Sequence, residues 1–158
     1  MPLDPGLVGR RWGPFRYTVG LEKLREYASA ISGGVPNLGL SALPEDVHPV
    51  LHDEAAAARG PYRGVIAFPT FAVTFAMAPF GAAVLDPALG VDLLRLVHAG
   101  QDFEFLEVLR PGDVLTTHGE LVEVSMRGRH EALVVRTESV NQHGRTAVRG
   151  VFTGLVRG

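Results

Sequence analysis

Along this chain the spacing of hydrophobic positions changes once, and the change divides it. Between residues 21 and 32, LEKLREYASAIS places Leu21, Leu24, Tyr27, Ala28 and Ile31 at helical intervals on one face, which predicts an amphipathic helix. GPFRYTVG (13–20) before it reads as a short strand, and GGVPNLGLSALPEDVHP (33–49) after it, dense in glycine and proline, reads as a loop. DEAAAAR (53–59) predicts about two turns of helix stopped by Gly60-Pro61. VIAFPTFAVTFAMAPFGAAVL (65–85) runs 21 residues without a charge and predicts a long helix opening at Pro69, since proline is tolerated in a first turn. From Leu93 the period shortens. LLRLVHAGQDFEFLEV, DVLTTHGELVEVSMR, EALVVRTESVNQ and RTAVRGVFTGLVR are four β-rich runs, parted by Pro111-Gly112-Asp113, Arg127-Gly128-Arg129 and Asn141-Gln142-His143-Gly144, all good turn chemistry. With the first strand they predict one helix wrapped by an antiparallel sheet of about five strands, an α+β fold in one domain, 1–158.

The uncharged stretch meets the length test for a membrane span. Two prolines and a glycine interrupt it and no second span follows, so a buried central helix is expected instead. Composition agrees: 46% hydrophobic and 20% charged residues describe an ordinary globular chain. The net charge of −2, with no basic block longer than Arg10-Arg11, prescribes neither a nucleic-acid nor a membrane partner. The absence of cysteine excludes disulfides, thiolate nucleophiles and zinc–cysteine sites. MPLDPGLVGRRWG lacks an apolar signal region, and a cytoplasmic location is expected. No His/Asp/Glu set has metal-ligand spacing, and neither a GxSxG elbow nor a phosphate-binding glycine loop is present.

LREYASAISG, HPVLHDEAAAARGPYRGVIAFPTF and LVHAGQDFEFLEVLRPGD, in that order, resemble the MaoC-like dehydratases of the hotdog fold. The closer resemblance is to their FAS1-like N-terminal group, which includes the non-catalytic HadA-type subunits of mycobacterial hydroxyacyl-ACP dehydratases. GPYRGVIAFPTF and FEFLEVLRPGD at this separation carry most of it. The resemblance implies hydration of trans-2-enoyl thioesters to (R)-3-hydroxyacyl thioesters, or the reverse, on CoA or acyl carrier protein. It implies a homodimer, or a heterodimer with another hotdog subunit, and no metal or redox cofactor.

Adding water to an enoyl thioester requires a base for the water, an acid for the carbon beside the carbonyl, and donors for the enolate-like oxygen. In the active relatives a G-D-x-N-P-x-H motif supplies Asp and His. Aligned on Pro49, Asp46 falls at the catalytic Asp, His48 at the Asn and Leu51 at the His. Leucine moves no proton, and His52, the nearest imidazole, comes one residue late. A second alignment sets Gly33-Gly34 on the Gly-Asp pair and makes Leu38 to Val47 an insertion. Asp46 and His52 are therefore the candidate catalytic residues, beside the competing expectation of a non-catalytic subunit. A hotdog acyl-CoA thioesterase, in which Asp46 directs water at the carbonyl, is the alternative.

Asp53 and Glu54 are expected as the cap and first turn of a helix rather than as acids. The oxygen-holding donors are expected at the start of the central helix, where Pro69 has no N–H and Thr70 and Phe71 follow. His98 is a lesser substrate-site candidate. Four residues from Asp102 in a strand, it would share one sheet face with that carboxylate. Phe68, Phe71, Phe75, Met77 and Phe80 form an apolar stripe, either core or the wall of an acyl tunnel. Arg110, Arg127 and Arg129 sit at turns, either as solvated surface or as contacts for carrier phosphates.

Overall fold

The computed structural model describes residues 3–31 and 48–158; Asp46 and most of the expected 33–49 loop lie outside the described residues. β1 (Arg11–Thr18) and α1 (Leu21–Ile31) are followed by a 3₁₀ turn at Pro49–Leu51 and by α2 (Glu54–Ala58). Next comes an apolar rod, and then β2 (Leu96–Phe105), β3 (Val114–Arg127), β4 (His130–Val140) and β5 (Thr146–Val156). The strands form one antiparallel sheet in the order β1-β3-β4-β5-β2. It curls around the rod as expected for a hotdog.

The rod spans 16 residues, Pro69–Val84, and is assembled in three pieces. A 3₁₀ turn (Pro69–Ala72) runs into α3 (Val73–Ala76), and α4 (Ala78–Val84) resumes beyond Met77. Pro79 explains the break, because its ring displaces the carbonyl four residues back and it has no N–H to donate. Among the described residues no helix is long and apolar enough to cross a membrane.

Burial follows the alternation read from sequence. On β4 Leu133, Val135, Thr137 and Ser139 face the rod and are at most 1% exposed, whereas Arg136 and Glu138 face outward. Phe71, Phe75 and Phe80 fill the space between rod and sheet, and Phe80 stacks on Phe152 with ring centroids 5.9 Å apart. The rod lies very close to the sheet at Gly119, where a β-carbon would stand 2.3 Å from Pro79 Cβ. Asp86, just past α4, ties the far end of the rod to β1. It accepts from the Trp12 indole at 3.1 Å and pairs with Arg10 at 2.8 Å.

One expectation about β2 fails. Its register against β5 shifts between His98 and Gly100, so the strand carries a bulge and the faces exchange beyond it. His98 faces the rod, but Asp102 lies opposite Val151 on the outer face, beside Glu104 and its partner Arg149. The two do not share a face, because an inserted residue defeats a period-2 count.

Candidate functional site

Three segments converge on the amino end of the rod. The first is the chain leading into it: Ala67 donates its N–H to the Leu109 carbonyl at 2.9 Å, and Ile66 donates to Val50 at 3.2 Å. The second is the 48–54 segment, held on α1 by Arg25, whose Nε donates to the His52 carbonyl at 3.0 Å and whose Nη2 lies 3.5 Å from Glu54. The third is α1 itself. Its Tyr27 hydroxyl donates to Thr70 Oγ1 at 2.9 Å while the ring stands edge-on to Phe71, centroids 5.4 Å apart.

At the first turn the two expected donors differ. Phe71 gives its N–H to the Phe68 carbonyl at 2.8 Å, closing the turn, and its side chain is fully buried. Thr70 is exposed, and among the described residues its N–H has no backbone acceptor, as the geometry of a helix start requires. Accepting from Tyr27 leaves the Thr70 hydroxyl proton to be donated onward. Thr70 therefore presents up to two donors, and Phe71 supplies the floor beneath them.

The residues of the worn motif take unequal parts. His48 is exposed and its Nδ1 accepts from the Val50 N–H at 3.2 Å, a bond within its own turn. Leu51 is half-buried in the 3₁₀ turn, and His52, also half-buried, follows it. Asp53 caps α2, accepting the Ala56 N–H at 2.9 Å. That bond, helped by the Ala55 N–H and the charges of His52 and Arg59, holds its carboxyl below the ordinary range against a smaller opposing effect of burial. Asp53 and Glu54 are thus the structural residues expected.

His98 stands elsewhere. Its ring packs 5.7 Å from Phe80 and 6.1 Å from Phe152, and Nε2 lies 3.1 Å from the Gly100 carbonyl. Phe80 is ten residues beyond Thr70, roughly 15 Å along a helical rod. The structure does not bring His98 to the Thr70 turn. In the apolar stripe, Phe71, Phe75 and Phe80 are core and Met77 is half-buried, which leaves Phe68, 39% exposed, to face any ligand at the opening. Arg127 pairs with Glu123 at the β3–β4 turn. β3 has 14 residues, so that turn lies some ~45 Å of extended strand from Arg110.

The remaining histidines lie outside this crevice. His118 borders an open groove of about 250 Å³ on the outer sheet face, with Arg11, Glu120, Arg136 and Glu138. His130 Nδ1 accepts from the Gly158 N–H, and His143 sits against Gln142. Among the described residues no three His, Asp or Glu side chains are grouped as metal ligands would be. The contact that the sequence does not reveal is Tyr27 to Thr70: Tyr27 lies on the apolar face of α1, and nothing in the pattern points to a polar partner 43 residues away.

A family model described as "FAS1-like, dehydratase domain region" matches residues 6–149. The chain belongs to this family. It is 36% identical over 159 residues to a protein of Saccharopolyspora erythraea named "UPF0336 protein", an alignment covering 100% of this chain and 94% of that one. Among solved structures it resembles the HadBC (3R-hydroxyacyl-ACP dehydratase) complex of Mycobacterium tuberculosis. There the TM-score is 0.76 at 24% identity, over 98% of this chain and 99% of the other. A structure titled "MaoC-like dehydratase" matches with a TM-score of 0.78 at 28% identity, over 96% of this chain and 42% of that one. These likenesses establish the hotdog fold and the dehydratase superfamily.

Proposed function

We propose that this protein holds enoyl or (R)-3-hydroxyacyl thioesters at the Thr70 turn and takes part in their hydration and dehydration as the substrate-holding partner of a second hotdog domain. The observation that carries the reading is the Thr70 turn itself, with an N–H that has no backbone acceptor among the described residues and an oriented hydroxyl; beside it stands Leu51, which the alignment on Pro49 sets at the proton-transfer position. In the reaction a base removes a proton from water, the oxygen bonds to C3, and a proton is delivered to C2. Negative charge collects meanwhile on the thioester oxygen. Donors fixed in advance favour that charge without reorganising. Thr70 supplies such donors, whereas Leu51 supplies neither base nor acid.

A second hotdog fits the free edge of the sheet. Eight of the ten residues of β2 are exposed on this chain, and Val97 and Phe105, with Leu94, Leu106 and Val108 flanking them, leave apolar surface along that edge. Strand addition there would cover it and continue the sheet.

The test mixes purified protein with crotonyl-CoA and follows loss of the conjugated thioester absorbance and release of thiol in parallel. The expected result is silence in both from the chain alone, with absorbance loss once a hotdog protein encoded beside it is added. Absorbance loss by the chain alone that disappears in His52→Ala would replace this reading with a self-sufficient hydratase. Thiol release would point to the thioesterase.

A further inference from the structure

Two threonine hydroxyls on the rod are hydrogen-bonded in opposite senses. Phe71 and Phe75, four residues apart, both turn inward, where their ring centroids lie 6.5 Å from each other. Thr70 and Thr74 each precede one of these phenylalanines by a residue, and both are exposed. The four-residue spacing sets them one above the other on a helical face, with β-carbons about 6 Å apart.

The Thr74 hydroxyl lies 2.8 Å from the Phe71 carbonyl oxygen. A carbonyl only accepts, so this bond takes the one proton that Thr74 has and leaves its oxygen able only to accept. The Thr70 hydroxyl is the reverse: it accepts from Tyr27 and keeps its proton to give. A threonine bonded to the carbonyl of the preceding turn is common in helices. What is particular here is its neighbour of opposite polarity, a donor at residue 70 and an acceptor one turn on.

That pair distinguishes the two forms of the substrate. In a 3-hydroxyacyl thioester the carbonyl oxygen accepts, and the hydroxyl on C3 has a proton to donate. An enoyl thioester has the carbonyl and no hydroxyl. With hydrogen bonds of about 2.8 Å at each end, threonine oxygens about 6 Å apart suit two substrate groups whose carbons are separated by C2 alone. Past Thr74 the rod continues with Ala78 and Gly81, both half-buried. Among the described residues a β-carbon on Gly81 would meet nothing within 4 Å, which leaves room for acyl carbons beyond C3.

We infer that Thr74 is a specificity-determining residue, which accepts the hydrogen bond of a substrate 3-hydroxyl so that the chain grips the 3-hydroxyacyl thioester in preference to the enoyl form. This rests on the reading given under Proposed function, with the thioester oxygen at Thr70. When the enoyl form is bound, the Thr74 oxygen loses water without gaining a partner, which adds to the preference.

The test measures dissociation constants of (R)-3-hydroxybutyryl-CoA and crotonyl-CoA for the wild type, Thr74→Val, Thr74→Ala, Thr74→Ser and Thr70→Val. Wild type is expected to bind the hydroxyacyl thioester about fivefold more tightly, the effect of one hydrogen bond. Thr74→Val and Thr74→Ala should bring the ratio of the two constants close to one, and Thr74→Ser, which keeps the hydroxyl, should retain the preference. Because the readout is a ratio within one protein, a general loosening of the rod moves both constants and leaves the ratio unchanged. Thr70→Val should weaken both ligands together; unchanged binding there would remove the anchor on which the inference depends. A wild-type ratio of one, or a preference that survives in Thr74→Val and Thr74→Ala, would overturn the inference and leave the thioester reading standing. A wild type that binds neither thioester overturns both.

Discussion

At the scale of single residues, whether a polar atom near the rod finds a partner makes a measurable difference. Tyr27 is the clearest case, since its ring packs on Phe71 while its hydroxyl orients Thr70. Tyr27→Phe keeps the packing and removes the donor. Thermal stability should then be nearly unchanged, while affinity for crotonyl-CoA falls about fivefold, the effect of one hydrogen bond. Equal losses in both would make Tyr27 merely structural. Thr137 is the opposite case: its Oγ1 is buried and has no hydrogen-bond partner among the described residues. Its neighbours Thr117 and Ser139 satisfy one another at 2.8 Å. A buried hydroxyl without a partner is costly, so Thr137→Val should stabilise the protein by about 1 kcal/mol in urea denaturation. Neither feature is visible in sequence, because both depend on which strand or helix is brought alongside.

At the scale of elements, sequence was most informative where one period governs a whole segment. The four β-rich runs each form a strand within a few residues of the expected ends, and the helix expected at 21–32 is present over the described residues Leu21–Ile31. Pro69 opens the rod as anticipated, and the second proline, at 79, divides it. What the pattern could not register was the bulge after His98, which inverts the faces of β2 without altering composition. The contact of rod and sheet at Gly119 was equally hidden, since only the fold sets Pro79 against that backbone. Gly119→Ala puts a methyl into the proline ring and should cost about 2–3 kcal/mol, read as a lower urea midpoint with an unchanged slope. Asp86 fastens the other end. The Ala88 N–H, then the Trp12 indole and Arg10, hold its carboxyl below the ordinary range despite partial burial. A depressed carboxyl stabilises the fold above its unfolded pKa, and that stability is lost as pH falls through the folded value. Asp86→Asn should therefore melt lower than wild type at neutral pH, with the difference closing below about pH 4.

At the scale of the whole molecule, the two edges of the sheet are built differently. β1 is protected: it is eight residues long, carries Pro14 and bulges between Trp12 and Phe15. β2 also bulges, but it is ten residues long, contains no proline or lysine, and is flanked by Leu94, 90% exposed, and by Leu106 and Val108. A long edge that exposes Val97 and Phe105 as well as Asp102 and Glu104, between flanking apolar residues, while the other edge is short and interrupted by proline, suits a surface that a partner covers. On the proposed pairing, a second hotdog adds its own edge strand to β2, and Val97→Arg with Leu106→Arg would set two charges into the seam. Both side chains are more than 40% exposed on the isolated chain, so the double variant should keep its melting temperature within a few degrees. In sedimentation velocity the wild type should run at twice the chain mass if it pairs with itself. If it needs a different hotdog, it should run at the chain mass until that protein is added. The variant should run at the chain mass in both cases and should lose the dehydratase activity of the mixture. A wild type that stays monomeric at high concentration and ignores the neighbouring hotdog would show that this edge is simply tolerated, and the proposed partnership would have no surface on which to form.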